Sequence, residues 1–101
     1  MPVTYSIEGG RTGARLSGES DGQLFERMAN LIAKEFHGRW VEKLDGLGQR
    51  YWDVEIGGIK LTLHSEHCLG ISLFPAKGYE RDSAANRLVR EVGAFLEATA
   101  A

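Results

Sequence analysis

The densest cluster of reactive side chains is His64, Glu66, His67 and Cys68, four metal-ligating types within five consecutive residues. Imidazole and thiolate bind zinc well, and a tetrahedral site brings such groups within ~2.0–2.3 Å of the ion. Alternation along a strand sends neighbours to opposite faces, however, and no second C-x-x-C or H-x-x-x-H element completes a shell. Pairing of Cys68 with His64 across a hairpin would give a thiol of lowered pKa. No orienting group or oxyanion donor loop accompanies it. A metal-dependent or thiol-based small enzyme or regulator centred on the 64–68 hairpin, with residues 76–81 as a lid, is therefore the second reading of the chain.

Two further patterns carry less. Gly9-Gly10-Arg11-Thr12-Gly13 lacks the Lys-Ser/Thr pair that a phosphate-binding loop needs after its last glycine. It reads as a turn, with Arg11 and Arg15 as a small positive spot. Glu42, Asp45, Asp53 and Glu55 fall on neighbouring expected strands, and paired carboxylates do acid-base work when their environments split their pKa values. Lys60 opposite Glu55 marks them instead as solvated surface charge.

The grouping that remains is spread over one face of a sheet: Tyr51, Asp53, Glu55, Thr62, His64 and Phe74. Thr4, Ser6, Lys60 and Ser72 share that face, with Trp40 as a further option. Aromatic anchors among acidic and hydroxyl groups are the composition of protein-binding patches. These six residues are the candidate partner-binding set, and no cofactor, metal or catalytic residue is assigned.

The elements that position them follow from periodicity. Val3, Tyr5 and Ile7 alternate with polar residues as in a half-buried strand, and Gly9-Gly10 suits a two-residue hairpin turn pairing Glu8 with Arg11, Tyr5 with Ala14 and Val3 with Leu16. Ser20-x-x-Gln23 fits a capping box. It opens a helix with Leu24, Phe25, Met28, Leu31, Ile32 and Phe36 on one stripe and Gly38 as its stop. Gly57-Gly58 then pairs Ile56 with Ile59, Val54 with Leu61 and Trp52 with Leu63. A three-residue connection, 65–67, pairs Leu63 with Leu69, Leu61 with Ile71 and Ile59 with Leu73. The strand around 39–45 is ambiguous: either Trp40 and Leu44 or Val41 and Lys43 face the core. Pro75 ends the last strand, and Asp82 or Ser83 caps a second helix with Ala85, Leu88, Val89, Val92, Phe95 and Leu96 inward. Gly93 inside it costs about 1 kcal/mol against alanine, and either a close backbone approach or a tolerated defect accounts for it.

The expected fold class is α+β, a two-layer sandwich of about five antiparallel strands (ββαβββα) with two helices on one face. The 101 residues make one domain, 1–101, with 43% apolar and 26% charged side chains, too hydrophobic for disorder. Twelve basic and fourteen acidic side chains leave a net charge of −2 without a block of either sign, so no nucleic-acid footprint is expected. A single cysteine, no apolar run of membrane length and no leader-like opening point to a cytoplasmic protein without a membrane partner. In size and composition the chain is similar to small bacterial immunity proteins and secretion chaperones, a likeness that rests on no motif and names no family. The first functional reading is thus a small non-catalytic protein-binding module, an adaptor, chaperone or immunity-like partner, using the uncovered sheet face. Its partner is a protein, with a second copy of the chain (a homodimer) as one option.

Overall fold

The computed structural model describes residues 2–99. Eight elements follow one another: β1 (Thr4–Glu8), β2 (Arg11–Ser17), α1 (Gly22–Phe36), β3 (Arg39–Gly46), β4 (Gln49–Ile56), β5 (Ile59–Glu66), β6 (Gly70–Pro75) and α2 (Ser83–Thr99). All strands join one antiparallel sheet in the order β1-β2-β6-β5-β4-β3. The sheet has six strands rather than about five, because residues 39–46 form a full outer strand and extend the central meander from three strands to four.

The apolar faces meet as periodicity dictates. Phe25, Met28, Ala29 and Ile32 of α1 and Ala85, Leu88, Val89, Val92 and Leu96 of α2 form one core with Ala14, Leu16, Trp52, Val54, Leu61, Leu63, Ile71 and Leu73 of the sheet. Each fully buried Leu or Ile contributes roughly 1.5–3 kcal/mol relative to exposure. Phe25 of α1 packs edge-on against Trp52 of β4 with centroids 5.0 Å apart, and Phe36 meets Phe95 of α2 at 5.7 Å. Both helices lie on the face that carries these residues, so the other face is uncovered. The 15 residues of α1 span ~22 Å, enough to carry the chain back across the ~19 Å of four strand spacings that separate β2 from β3.

Helix ends are fixed by side chains. Asp21, not Ser20, is the N-cap of α1: its Oδ1 accepts from the backbone N–H of Gln23 at 2.8 Å and of Leu24 at 3.2 Å. An aspartate and a serine side by side compete for one cap, and the shorter reach to both amides falls to the carboxylate. Asp82 does the same for α2, accepting from Ala85 N–H at 3.0 Å. His37 takes a left-handed conformation (φ 53°), and Gly38 N–H donates to Ala33 C=O at 3.0 Å to close α1. At Gly93 the close approach is real: a Cβ there would collide with the Tyr5 hydroxyl of β1.

Registers agree with expectation at the two glycine-pair hairpins, β1–β2 and β4–β5, where Tyr5 faces Ala14, Trp52 faces Leu63 and Val54 faces Leu61. The ladder of β1 begins at Thr4, so Val3 lies beyond it and has no partner there. The β5–β6 hairpin differs. Leu63 pairs with Leu73 and Leu61 with Pro75, because β5 runs on to Glu66 and the turn is 67–69. Cys68 adopts φ 69° in that turn and Leu69 N–H donates to Glu66 C=O at 3.0 Å. The partner of each residue moves by four positions. An even shift leaves every side chain on its expected face, which is why Leu61, Leu63, Ile71 and Leu73 are buried together.

The ambiguity at 39–45 resolves into neither alternative. A bulge inserts Val41 between the pairs Trp40↔Val54 and Glu42↔Asp53, so Trp40 and Lys43 both face the helices. There Trp40 packs on Trp52 at 5.6 Å, and the Lys43 ammonium sits 4.2 Å above the Trp52 ring. Trp40 therefore does not belong to the uncovered face. No helix among the described residues is long and apolar enough to cross a membrane.

Candidate functional site

Strand parity places Tyr51, Asp53 and Glu55 of β4, Thr62 and His64 of β5 and Phe74 of β6 together on the uncovered face. Tyr51 and His64 are directly paired across the ladder, and their rings stack at 4.2 Å with only 12° between planes. Phe74 stands edge-on to His64 at 5.9 Å. The Arg11 guanidinium of β2 lies 4.5 Å over the Phe74 ring. Four groups in contact thus run diagonally over four adjacent strands, β4, β5, β6 and β2.

Polar groups fix the surroundings. The Thr62 hydroxyl donates to Asp53 Oδ1 at 2.6 Å, holding the carboxylate against β5. Tyr51 donates to Gln49 Oε1 at 3.0 Å. Arg39 of β3 pairs with Glu55 at 2.7 Å, and that charge-assisted bond holds the Glu55 carboxyl below its usual range. His64 is different. Its Nε2 is shielded from solvent and has no hydrogen-bond partner, and burial lowers its pKa below the ordinary imidazole value, against an opposing pull from Glu66. The ring is an aromatic plate between Tyr51 and Phe74 whose uncharged form burial favours.

The Arg11–Phe74 stack forms a shared wall of two shallow hollows. One, of 260 Å³, is lined by Glu42, Leu44, Tyr51, Asp53 and Thr62. The other, of 320 Å³, is lined by Ser6, Gly13, Arg15, His64 and Ser72. Leu44 on β3 is 57% exposed and Tyr51 37% exposed, so the face presents apolar as well as aromatic surface to solvent.

The 64–68 hairpin does not bring His64 and Cys68 together as cross-strand neighbours. His64 faces Ser72 across the β5–β6 ladder instead of Cys68, since the longer β5 carries Cys68 out to the exposed turn. Among the described residues no three His, Cys, Asp or Glu side chains converge as metal ligands. Of the four carboxylates, Asp45 lies on the opposite face, accepting from Trp52 Nε1 at 2.8 Å and Arg50 Nε at 3.1 Å. Those two bonds lower its pKa. Glu42 and Asp53 are cross-strand partners on the uncovered face.

Sequence reasoning had not placed Arg11, Arg15, Glu42 and Leu44 on this face. The hairpin parity that put Thr4 and Ser6 there also puts Arg11 and Arg15 there. What it could not supply was the long-range pairing of β2 with β6, which brings Arg11 to Phe74. Glu42 and Leu44 were hidden by the bulge at Val41. Comparison with known proteins yields no matching family model, curated protein or solved structure.

Proposed function

We propose that the protein is a small non-catalytic binding module whose uncovered sheet face docks a protein partner. One observation carries the reading: the diagonal stack Tyr51–His64–Phe74–Arg11 stands on the face that no helix covers. Tyr and Arg are enriched where interfaces concentrate their binding energy, and stacked rings are already ordered, so little side-chain entropy is lost on docking. Asp53 and Glu55, each held by an internal bond, supply fixed charge for selectivity. The adaptor, chaperone or immunity-like roles of bacterial proteins are the kinds of work such a face suits. The lone exposed Cys68 favours a reducing compartment, the cytoplasm, as the place of action.

The test is affinity capture from native extract with the wild-type chain and with Tyr51→Ala/Phe74→Ala. Both rings are on the surface layer, so the double variant should keep its fold, losing about 1–2 kcal/mol of cross-strand packing. It should lose any partner that the wild type retains. A partner held equally by both proteins refutes the assignment of the face.

A further inference from the structure

We infer that the β1 edge of the sheet is a dimer seam, where a second copy of the chain pairs antiparallel with Thr4–Glu8 about a two-fold axis perpendicular to the sheet and passing between the two Ser6 residues. The two edges of the sheet, β1 and β3, are unlike. Unpaired backbone groups on an edge strand invite another strand, and proteins guard them with bulges, prolines and charges. β3 is guarded in this way, by the bulge at Val41 and by Arg39, Glu42, Lys43 and Asp45 along its length. β1 is not. Its register with β2 is unbroken from Thr4 to Glu8, and its sequence TYSIE holds no proline and a charge only at its end.

Hydrogen-bond parity fixes which backbone groups are open. In a two-residue hairpin the closing pair exchanges both backbone bonds, so Glu8, Ser6 and Thr4 are tied to β2 while Tyr5 and Ile7 point their N–H and C=O groups away from it. No described residue bonds to those outward groups. Val3 N–H points the same way but already donates to Glu97 Oε2 of α2 at 3.0 Å, and Gly9 belongs to the turn, at φ 57°. A two-fold axis centred on Tyr5 would set Ile7 against the occupied Val3, and one centred on Ile7 would set Tyr5 against the turn. Centred on Ser6, the axis pairs Tyr5 of each copy with Ile7 of the other. Every open group then meets an open group, with both backbone bonds exchanged in each pair.

Side chains agree on both faces. Ile7 is 65% exposed on the helix side, and the seam lays the Tyr5 ring of the other copy against it, an aromatic on a β-branched side chain and a favourable cross-strand pair. The Arg90 guanidinium over Tyr5 shares that ring with the Glu97 carboxylate of its own helix, so no isolated cation is brought to the seam. On the uncovered face Glu8, the ladder partner of Arg11, falls beside Thr4 of the other copy, whose own ladder partner is Arg15. Each Glu8 is then flanked by cations on both sides. The product is one continuous sheet of twice six strands with all helices on one side. The face proposed above for a protein partner is doubled and left open, and the pairing does not depend on that reading.

An edge of 5 residues makes a seam smaller than the ~1,200 Å² of a standard interface, so sedimentation or light scattering should run from micromolar to millimolar full-length chain under reducing conditions. Mass should rise from 11.1 kDa towards twice that value. Ile7→Pro removes an outward donor and leaves the β1–β2 ladder intact. It should weaken association roughly tenfold or more with unchanged circular dichroism. If proline unfolds β1, Ile7→Lys serves as the edge variant. Tyr51→Ala/Phe74→Ala should dimerise like the wild type. In a Cys68→Ser background, Ser6→Cys should oxidise to a covalent dimer because the two residues meet at the axis, whereas Thr4→Cys, ~13 Å along the strand from its mate, should not. A wild type that stays monomeric at millimolar concentration overturns the inference, and so does a dimer that survives the Ile7 variants or cross-links equally at positions 4 and 6. A dimer lost in Tyr51→Ala/Phe74→Ala would move the contact to the uncovered face and also overturn it. A monomeric wild type that still captures a foreign partner through Tyr51 and Phe74 would sink the seam and leave the docking face standing.

Discussion

Replacing Gly93 by alanine should weaken this protein even though alanine is the better helix former. Glycine in a helix interior costs about 1 kcal/mol relative to alanine, so propensity alone would make the substitution stabilising. In α2, however, Gly93 lies beneath the Tyr5 ring. A Cβ there collides with the hydroxyl and comes within 3.2 Å of Cε1 and Cζ. The ring is held in place by the Arg90 guanidinium 4.9 Å from its centre, and its hydroxyl donates weakly to the Arg90 carbonyl at 3.5 Å. Burial, with the nearby Glu97 carboxylate, raises the hydroxyl's pKa. Overpacking typically costs about 1–3 kcal/mol, which leaves Gly93→Ala net destabilising by up to about 2 kcal/mol after the ~1 kcal/mol helix gain. In a Tyr5→Ala background the collision is gone, and the same substitution should stabilise by about 1 kcal/mol. The coupling of about 1–3 kcal/mol exceeds the ~0.3–0.5 kcal/mol scatter of independent sites. Urea unfolding of the four proteins measures it. A coupling below about 0.5 kcal/mol, or a Gly93→Ala that stabilises the Tyr5 protein, would show that the ring yields freely and that no contact between β1 and α2 fixes the glycine.

Three other expectations follow from particular contacts. Removing the α1 cap by Asp21→Ala should cost about 1 kcal/mol, whereas Ser20→Ala should change stability by less than about 0.5 kcal/mol; equal effects in thermal melts would return the cap to Ser20. Because burial lowers the His64 pKa, the unfolded chain binds its proton first as pH falls. The stability His64 permits is therefore present above the unfolded value near 6.5 and is lost as pH drops from there through the lower folded value. Urea midpoints between neutral and mildly acidic pH should fall less steeply for His64→Phe than for the wild type, and identical slopes would contradict the buried ring. Gly70, at φ 102° with a Cβ position overlapping the Ser17 carbonyl, should tolerate alanine worst of the glycines. Gly70→Ala should be destabilised by more than about 2 kcal/mol, which the same melts would report.

Much of the architecture is readable from period-2 and period-3.6 spacing because both depend only on local geometry. The two helices, their inward stripes and the facing of β4, β5 and β6 are of this kind. Three features depend on information that spacing does not carry. The length of β5 was decided by the willingness of Cys68 to enter a left-handed turn, not by Ser65, which the expected turn had used and which is buried in the strand. The facing of β3 was decided by one extra residue at Val41, and a bulge leaves no mark on apolar periodicity other than breaking it. The adjacency of β2 and β6 joins residues more than fifty positions apart, beyond any local signal.

These three failures differ in consequence for the site, and the reason is parity. The hairpin at 67–69 is displaced by an even number, so Tyr51, Asp53, Thr62, His64 and Phe74 keep the face that spacing assigns them. The bulge at Val41 shifts by one and exchanges sides across it, so Trp40 before it faces the helices while Glu42 and Leu44 after it stand on the uncovered face. Adjacency leaves sides unchanged but decides which strands are neighbours, and so brings Arg11 from an isolated positive spot onto the Phe74 ring. A two-layer fold with both helices on one side has no covalent or packing device to shield the other. The least costly sequence for that side would be uniformly polar, yet here it carries Tyr51, His64 and Phe74 across its middle strands and Leu44 on the outer strand β3. That departure from the solvated pattern is the physical reason to seek a partner for this face.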